Sequence, residues 1–205
     1  TPQCSSGQCV DGVCCDSACS SPCMACAAAL KEAGVDGECG PARAGDDPHD
    51  DCPDDGELNC KRDGTCDGNG ACRLYPEGVS CGASVCIGNS ARGRVCNGTG
   101  TCVTETVGVE CAPYLCTAGS CATTCQNDGD CLGDTWCDAG LCEPQVADGE
   151  ACIIAATCLS GFCVDRTCCD TACTGQCEAC DVGGTEGVCS AVLGVPHGSR
   201  PSCDG

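Results

Sequence analysis

Thirty-three cysteines in 205 residues carry most of the chemistry open to this chain. Thiols bind metals, exchange disulfides or crosslink, and spacing separates the three. CxxC occurs only as Cys23 with Cys26 and as Cys177 with Cys180, each without the second CxxC or His pair of a zinc site. The other gaps, of three, four, five and eight residues, are not zinc spacings. A redox CxxC needs a thiolate stabilised at a helix N-terminus. Cys23 has that setting in the helix predicted below, but an even cysteine count per repeat assigns both CxxC pairs to a disulfide framework.

Carboxylates are the second resource. Asp46, Asp47, Asp50, Asp51, Asp54 and Asp55, followed by Glu57, place hard oxygen ligands in one loop and make it the candidate calcium site. Smaller sets are Asp63, Asp67 and Asn69, and Asn127, Asp128 and Asp130. None completes the EF-hand pattern, and a run of charge is usually a solvated face. No other cofactor is expected. The only histidines, His49 and His197, sit in Pro-flanked loops, and GxSxG, HExxH and GxxxxGK[ST] are absent. The reading is therefore no catalytic residues and no enzyme. Trp136, the single tryptophan in a chain of 2% aromatics, is expected to cover a disulfide in the 125–142 stretch. Asn97-Gly98-Thr99 is a glycosylation sequon.

These residues must be positioned without a conventional core. Leu, Ile, Val and Phe number 27, too few to bury, so crosslinks have to limit the entropy of the unfolded chain instead. Such a chain matures in an oxidising place, and the reading is secreted or cell-surface. No apolar run has membrane-spanning length. A net charge of -21 argues against nucleic acid and anionic membrane as partners.

The cysteines repeat. Cys4, Cys9, Cys14, Cys15, Cys19, Cys23 and Cys26 recur 154 residues later as Cys158, Cys163, Cys168, Cys169, Cys173, Cys177 and Cys180. Between Cys4 and Cys158 lie 24 cysteines counting Cys4, enough for twelve bridges per period, and the nine from Cys158 to Cys203 repeat the first nine. The chain thus reads as an excerpt that cuts through a period. One cysteine must lack a partner within it, and Cys203 is the candidate for a partner outside the chain.

Local signals divide the period. Ser21 as N-cap, Pro22 at the first helical position and Gly34 past the end predict a short helix over 23–33, shortened or absent in the second copy. Residues 60–116 hold a 30-residue tandem repeat in which CDGNGAC at 66 matches CNGTGTC at 96, with Asp67-Gly68 and Asn97-Gly98 expected in tight hairpin turns. Cys131, Cys137 and Cys142 match Cys152, Cys158 and Cys163 at an offset of 21, which predicts two hairpin knots. Pro196-His197 is aligned with Pro48-His49.

The chain resembles the cysteine-rich repeat proteins of myxobacteria and related bacteria, large secreted or surface-attached polypeptides. The likeness rests on GFCVDRTCCDTACTGQCEACDVGGTEGVCSAVLGVPHGSRPSC, on VECAPYLC and on NDGDCLGDTWCDAGLC, the last similar to the Dickkopf amino-terminal cysteine pattern. The CC-x3-C-x3-C-x2-C run is similar to furin-like receptor repeats. The resemblance implies an exported structural or adhesive role.

The expected fold is small and disulfide-rich: an elongated string of short β-hairpin knots, at most one or two short helices and no large hydrophobic core. Its modules are 1–57, 58–120, 121–151 and 152–205. Cys14, Cys15, Cys19, Cys23 and Cys26, with Cys168, Cys169, Cys173, Cys177 and Cys180, form the framework of the two signature copies. The expected function is an extracellular rod, filament or matrix segment associating head to tail. The alternative is a soluble adhesin or small-knot protease inhibitor, with an unknown surface ligand or glycan as partner.

Overall fold

The computed structural model describes residues 4–203. The chain is a small disulfide-rich protein of short antiparallel hairpins. It divides into two compact units. One runs to Val85 and includes Arg92–Gly108; the other comprises Cys86–Ala91 and Val109 onward.

The first unit holds seven disulfides. Its hairpins pair Cys9–Val10 with Val13–Cys14, Met24–Ala25 with Gly40–Pro41, and Arg62–Cys66 with Cys72–Leu74. Arg94–Cys96 pairs with Cys102–Thr104. The second unit holds nine disulfides. Here Cys116–Thr117 pairs with Ser120–Cys121, Thr135–Asp138 with Leu141–Pro144, Cys163–Val164 with Thr167–Cys168, and Glu178–Ala179 with Ser190–Ala191. Among the described residues no helix is long and apolar enough to cross a membrane.

Sulfur replaces hydrocarbon in the interior. Every buried apolar side chain among the described residues is a cysteine or one of Ala25, Ala42 and Ala179. Large apolar side chains stay outside: Leu193 is fully exposed, and Ile153 and Val195 are 94% and 84% exposed. Burial of Leu, Val and Ile therefore does not organise this fold, and the crosslinks do.

Two-residue turns close four of the hairpins, at Asp11-Gly12, Ala118-Gly119, Ala139-Gly140 and Asp165-Arg166. All eight residues have positive φ, the conformation whose twist matches the flanking strands. At the Cys66/Cys72 and Cys96/Cys102 hairpins the expected tight Asp-Gly and Asn-Gly turns are instead five-residue loops. Gly68 and Gly98 do take positive φ, but Asp67 Oδ1 accepts from the amides of Asn69 and Ala71, and Asn97 Oδ1 from those of Thr99 and Thr101.

The helix expected over 23–33 is a single 3-10 turn, Ala28–Leu30. Two restraints override its propensity. Cys23 has φ of 57°, and Met24–Ala25 is extended against Gly40–Pro41, while Cys26 is tied back to Cys15. The second copy lacks the helix, as expected, with Glu178–Ala179 extended. The other 3-10 turns are Glu57–Asn59, Asp128–Asp130 and Ala155–Thr157. Lys31 is buried in the first unit, where its ammonium donates to the carbonyls of Val35 and Glu38 and holds the loop around Gly34.

Candidate functional site

One bonding rule governs the hairpins. Six of them place two cysteines face to face across their strands: Cys9 and Cys14, Cys66 and Cys72, Cys96 and Cys102, Cys116 and Cys121, Cys137 and Cys142, Cys163 and Cys168. In no case do facing cysteines bond each other. In five hairpins both cysteines bond to two anchor cysteines that precede them, first to first and second to second. Thus Cys66 and Cys72 bond Cys23 and Cys52, and Cys96 and Cys102 bond Cys60 and Cys81. Cys116 and Cys121 bond Cys86 and Cys111, Cys137 and Cys142 bond Cys125 and Cys131, and Cys163 and Cys168 bond Cys152 and Cys158.

In four of the five pairs the anchors are neighbours. The sulfurs of Cys23 and Cys52 lie 3.1 Å apart, each bonded elsewhere. In the Cys60/Cys81, Cys125/Cys131 and Cys152/Cys158 pairs the two sulfurs lie within 4.8 Å. These clusters have the proximity of metal-thiolate sites, but their sulfurs are engaged in disulfides and are not available as thiolate ligands. Neither CxxC is closed on itself: Cys23 and Cys26 bond Cys66 and Cys15, and Cys177 and Cys180 bond Cys203 and Cys169.

Among the described residues one cysteine is unpaired, as the odd count requires, but it is not Cys203. Cys203 is bonded to Cys177, and the cysteine left free is Cys9, exposed in the first hairpin. Its repeat counterpart Cys163 takes Cys152 as partner, eleven residues earlier. Trp136 is half-buried on the strand Thr135–Asp138, with the disulfide cysteine Cys152 beside it. It lines an open cleft with Asp138, Ala151, Ile153, Ile154 and Thr157. The offset of 21 between Cys131 and Cys152 matched spacing but not role, because Cys137 is a hairpin cysteine and Cys158 an anchor.

Aspartates clamp each signature copy. The amide of Cys26 donates to Asp11 at 2.6 Å, and that of Cys180 to Asp165 at 3.3 Å. Asp16 and Asp170 accept from the amides of Cys39 and Cys189. His49 lies 2.6 Å from Asp11, while in the second copy Arg200 takes that place on Asp165. The alignment of His49 with His197 is therefore corrected: His197 pairs with Asp181, and Arg200 is the counterpart of His49. Burial alone would raise the Asp11 carboxyl, but the Cys26 amide, His49 and the Ala27 amide outweigh it and hold it below the usual carboxylate range. Sequence reasoning passed over these clamps, although Asp11 and Asp16 recur at the same 154-residue offset.

The acidic loop serves the hairpin beside it. Asp47 accepts from the amides of Asp51 and of anchor Cys52, and Asp46 pairs with Arg43 while its carbonyl accepts from Cys66. Asp54 accepts the Tyr75 hydroxyl at 2.6 Å, and Asp55 pairs with Arg62. Asp51 lies 3.8 Å from His49, and Asp50 takes a left-handed backbone. The Tyr75 hydrogen bond lowers Asp54, Arg62 lowers Asp55, and Asp54 in turn pushes the Tyr75 phenol up to about 12. A calcium ion here would compete with these partners. In the smaller sets, Asp63 pairs with Arg73, and Asn127 with Asp130 forms a capping box.

Comparison with protein-family models, curated proteins and solved structures finds no match. Sixteen disulfides among the described residues mark a protein of an oxidising environment. What the geometry provides chemically is a rigid set of sulfur crosslinks.

Proposed function

We propose that the chain is a non-enzymatic structural segment, secreted or displayed at the cell surface, that contributes to a rod, filament or matrix by head-to-tail association. The observation that carries this reading is the recurrence of one bonded motif, with five of its six cysteines offset by 154 residues and the sixth by 150. Cys4–Cys14, Cys15–Cys26 and Cys19–Cys39 reappear as Cys158–Cys168, Cys169–Cys180 and Cys173–Cys189. Repetition of a crosslinked unit suits a load-bearing material, since contacts that do not close generate open assemblies. The resemblance to secreted cysteine-rich repeat proteins points the same way. Electron microscopy of native material, with and without reductant and chelator, tests it. Filaments with an axial repeat support the proposal; their loss with reductant alone assigns cohesion to disulfides, and loss with chelator assigns it to a divalent cation. Particles that never assemble overturn it.

A second reading, an adhesin or protease-inhibiting module, draws on the apolar cleft at Trp136, Ile153 and Ile154. A monomer that binds a protease or surface ligand stoichiometrically, and loses that binding in Trp136→Ala, would favour it.

A further inference from the structure

Trp136 and Asp138 stand two residues apart on the strand Thr135–Asp138 and so share one face of its hairpin, with Glu143 directly across the ladder from Trp136. Together with Ala151, Ile153, Ile154 and Thr157 they line an open cleft of about 530 Å³. Small-ligand sites fall in the range of roughly 300–1,000 Å³. We propose that this cleft binds a small organic cation, an alkyl- or arylalkylammonium ion whose apolar body lies against Trp136 and the isoleucines and whose charge meets the indole face and the Asp138 carboxylate. The inference rests on the second reading above, that the cleft binds a ligand, and names the class of that ligand.

Crosslinks fix the cleft before any ligand arrives. The Trp136 hairpin is held through Cys137 and Cys142, bonded to Cys125 and Cys131. Ile153 and Ile154 follow Cys152, bonded to Cys163, and lead into the Ala155–Thr157 turn, which ends at Cys158, bonded to Cys168. The two modules are clasped by residues that directly follow the Trp136 hairpin: the Gln145 side-chain amide donates to the Ala156 carbonyl, and the Val146 amide donates to the Thr157 carbonyl. A ligand entering here orders little protein, and that preorganisation favours affinity. Ile153, almost fully exposed, offers apolar surface that a ligand body would cover.

Charge selects what enters. Among the described residues no basic side chain pairs with Asp138, whereas seven other aspartates are paired in that way. A free carboxylate beside an indole favours a cation twice, by direct attraction and through the negative face of the ring. Glu143 on the same face and the net charge of -21 add a field of the same sign. Arg166, the basic residue of this region, lines a separate hollow with Cys152 and Ile153. A neutral apolar molecule would gain only the burial term, and an anion would meet repulsion.

Trp136 is the single tryptophan, so fluorescence of the 205-residue chain reads the cleft directly. Titration with hexylammonium should shift the emission saturably, while hexanol and hexanoate, of the same chain length, should bind about tenfold more weakly. Asp138→Asn removes an exposed carboxylate that holds no ion pair, so the melt and the disulfide map should be unchanged. The variant should bind hexylammonium about tenfold more weakly and hexanol as before. Raised salt should weaken hexylammonium alone. No saturable shift with hexylammonium, equal binding of hexanol or hexanoate, or unaltered affinity in Asp138→Asn overturns the proposal. Tighter binding of Nα-acetyl-lysine amide than of hexylammonium also overturns it, in favour of a lysyl side chain on a protein partner. Stoichiometric, Trp136-dependent binding of a protease or surface ligand that hexylammonium does not displace overturns the ligand class and leaves the binding reading standing.

Discussion

Cys9 faces Cys14 across the Asp11-Gly12 turn, and only Cys14 carries a disulfide. Alkylation of the unreduced 205-residue chain should therefore label one thiol, at Cys9, before and after denaturation. Cys9→Ser should remove all labelling and leave the melting temperature unchanged, since the exposed side chain contributes no crosslink. Label at Cys203 would show that the Cys177–Cys203 bond does not form.

Cys23–Cys66 spans 43 residues and Cys4–Cys14 spans 10. Loop-closure entropy makes the long bond worth about 4 kcal/mol and the short one about 2.7 kcal/mol. Paired alanine replacement at Cys23 and Cys66 should accordingly lower the denaturation midpoint of the first unit more than replacement at Cys4 and Cys14. Equal losses would mean that local strain or packing, rather than loop length, sets the contribution.

Arg166 holds φ of 65° in a turn whose counterpart in the first copy is Gly12, at φ of 76°. A left-handed side-chain-bearing residue costs about 1 kcal/mol relative to glycine. Arg166→Gly should raise stability by roughly that amount, and Gly12→Arg should lower it, both read by chemical denaturation. No gain in Arg166→Gly would indicate that the exposed arginine contributes contacts outside its own turn.

The Asp11 carboxyl, 5% exposed, is held below its usual range while bonded to the Cys26 amide and His49. Its folded pKa is thus lower than its unfolded value of about 4, so its contribution is fully present above that unfolded value and disappears as pH falls through the folded one. Thermal melts from pH 7 down to pH 2 should show the first unit losing stability at the acid end. Asp11→Asn should be less stable at neutral pH and flatter in acid; a parallel profile would assign the acid loss to other carboxylates.

Much of this organisation is legible in the residues themselves. The 154-residue cysteine register, the scarcity of Leu, Ile, Val and Phe, and the paired glycine turns determine a disulfide-held chain of hairpins, because spacing and turn chemistry are local properties. The acidic loop and the two CxxC pairs were visible as residues, but not as what they do. Which cysteine meets which is decided only in three dimensions: Cys66 and Cys72 face each other across a five-residue loop, yet bond Cys23 and Cys52 because strand pairing turns both sulfurs toward that anchor pair. The predicted helix at 23–33 yielded for the same reason, since bonds from Cys23 and Cys26 to distant partners outweigh the few tenths of a kcal/mol per residue that distinguish helix formers. Likewise Arg200, not His197, inherits the place of His49, because a loop of different length brings a different basic side chain onto Asp165. Composition and spacing determine that this protein is crosslinked; tertiary contact alone decides which cysteine pairs with which.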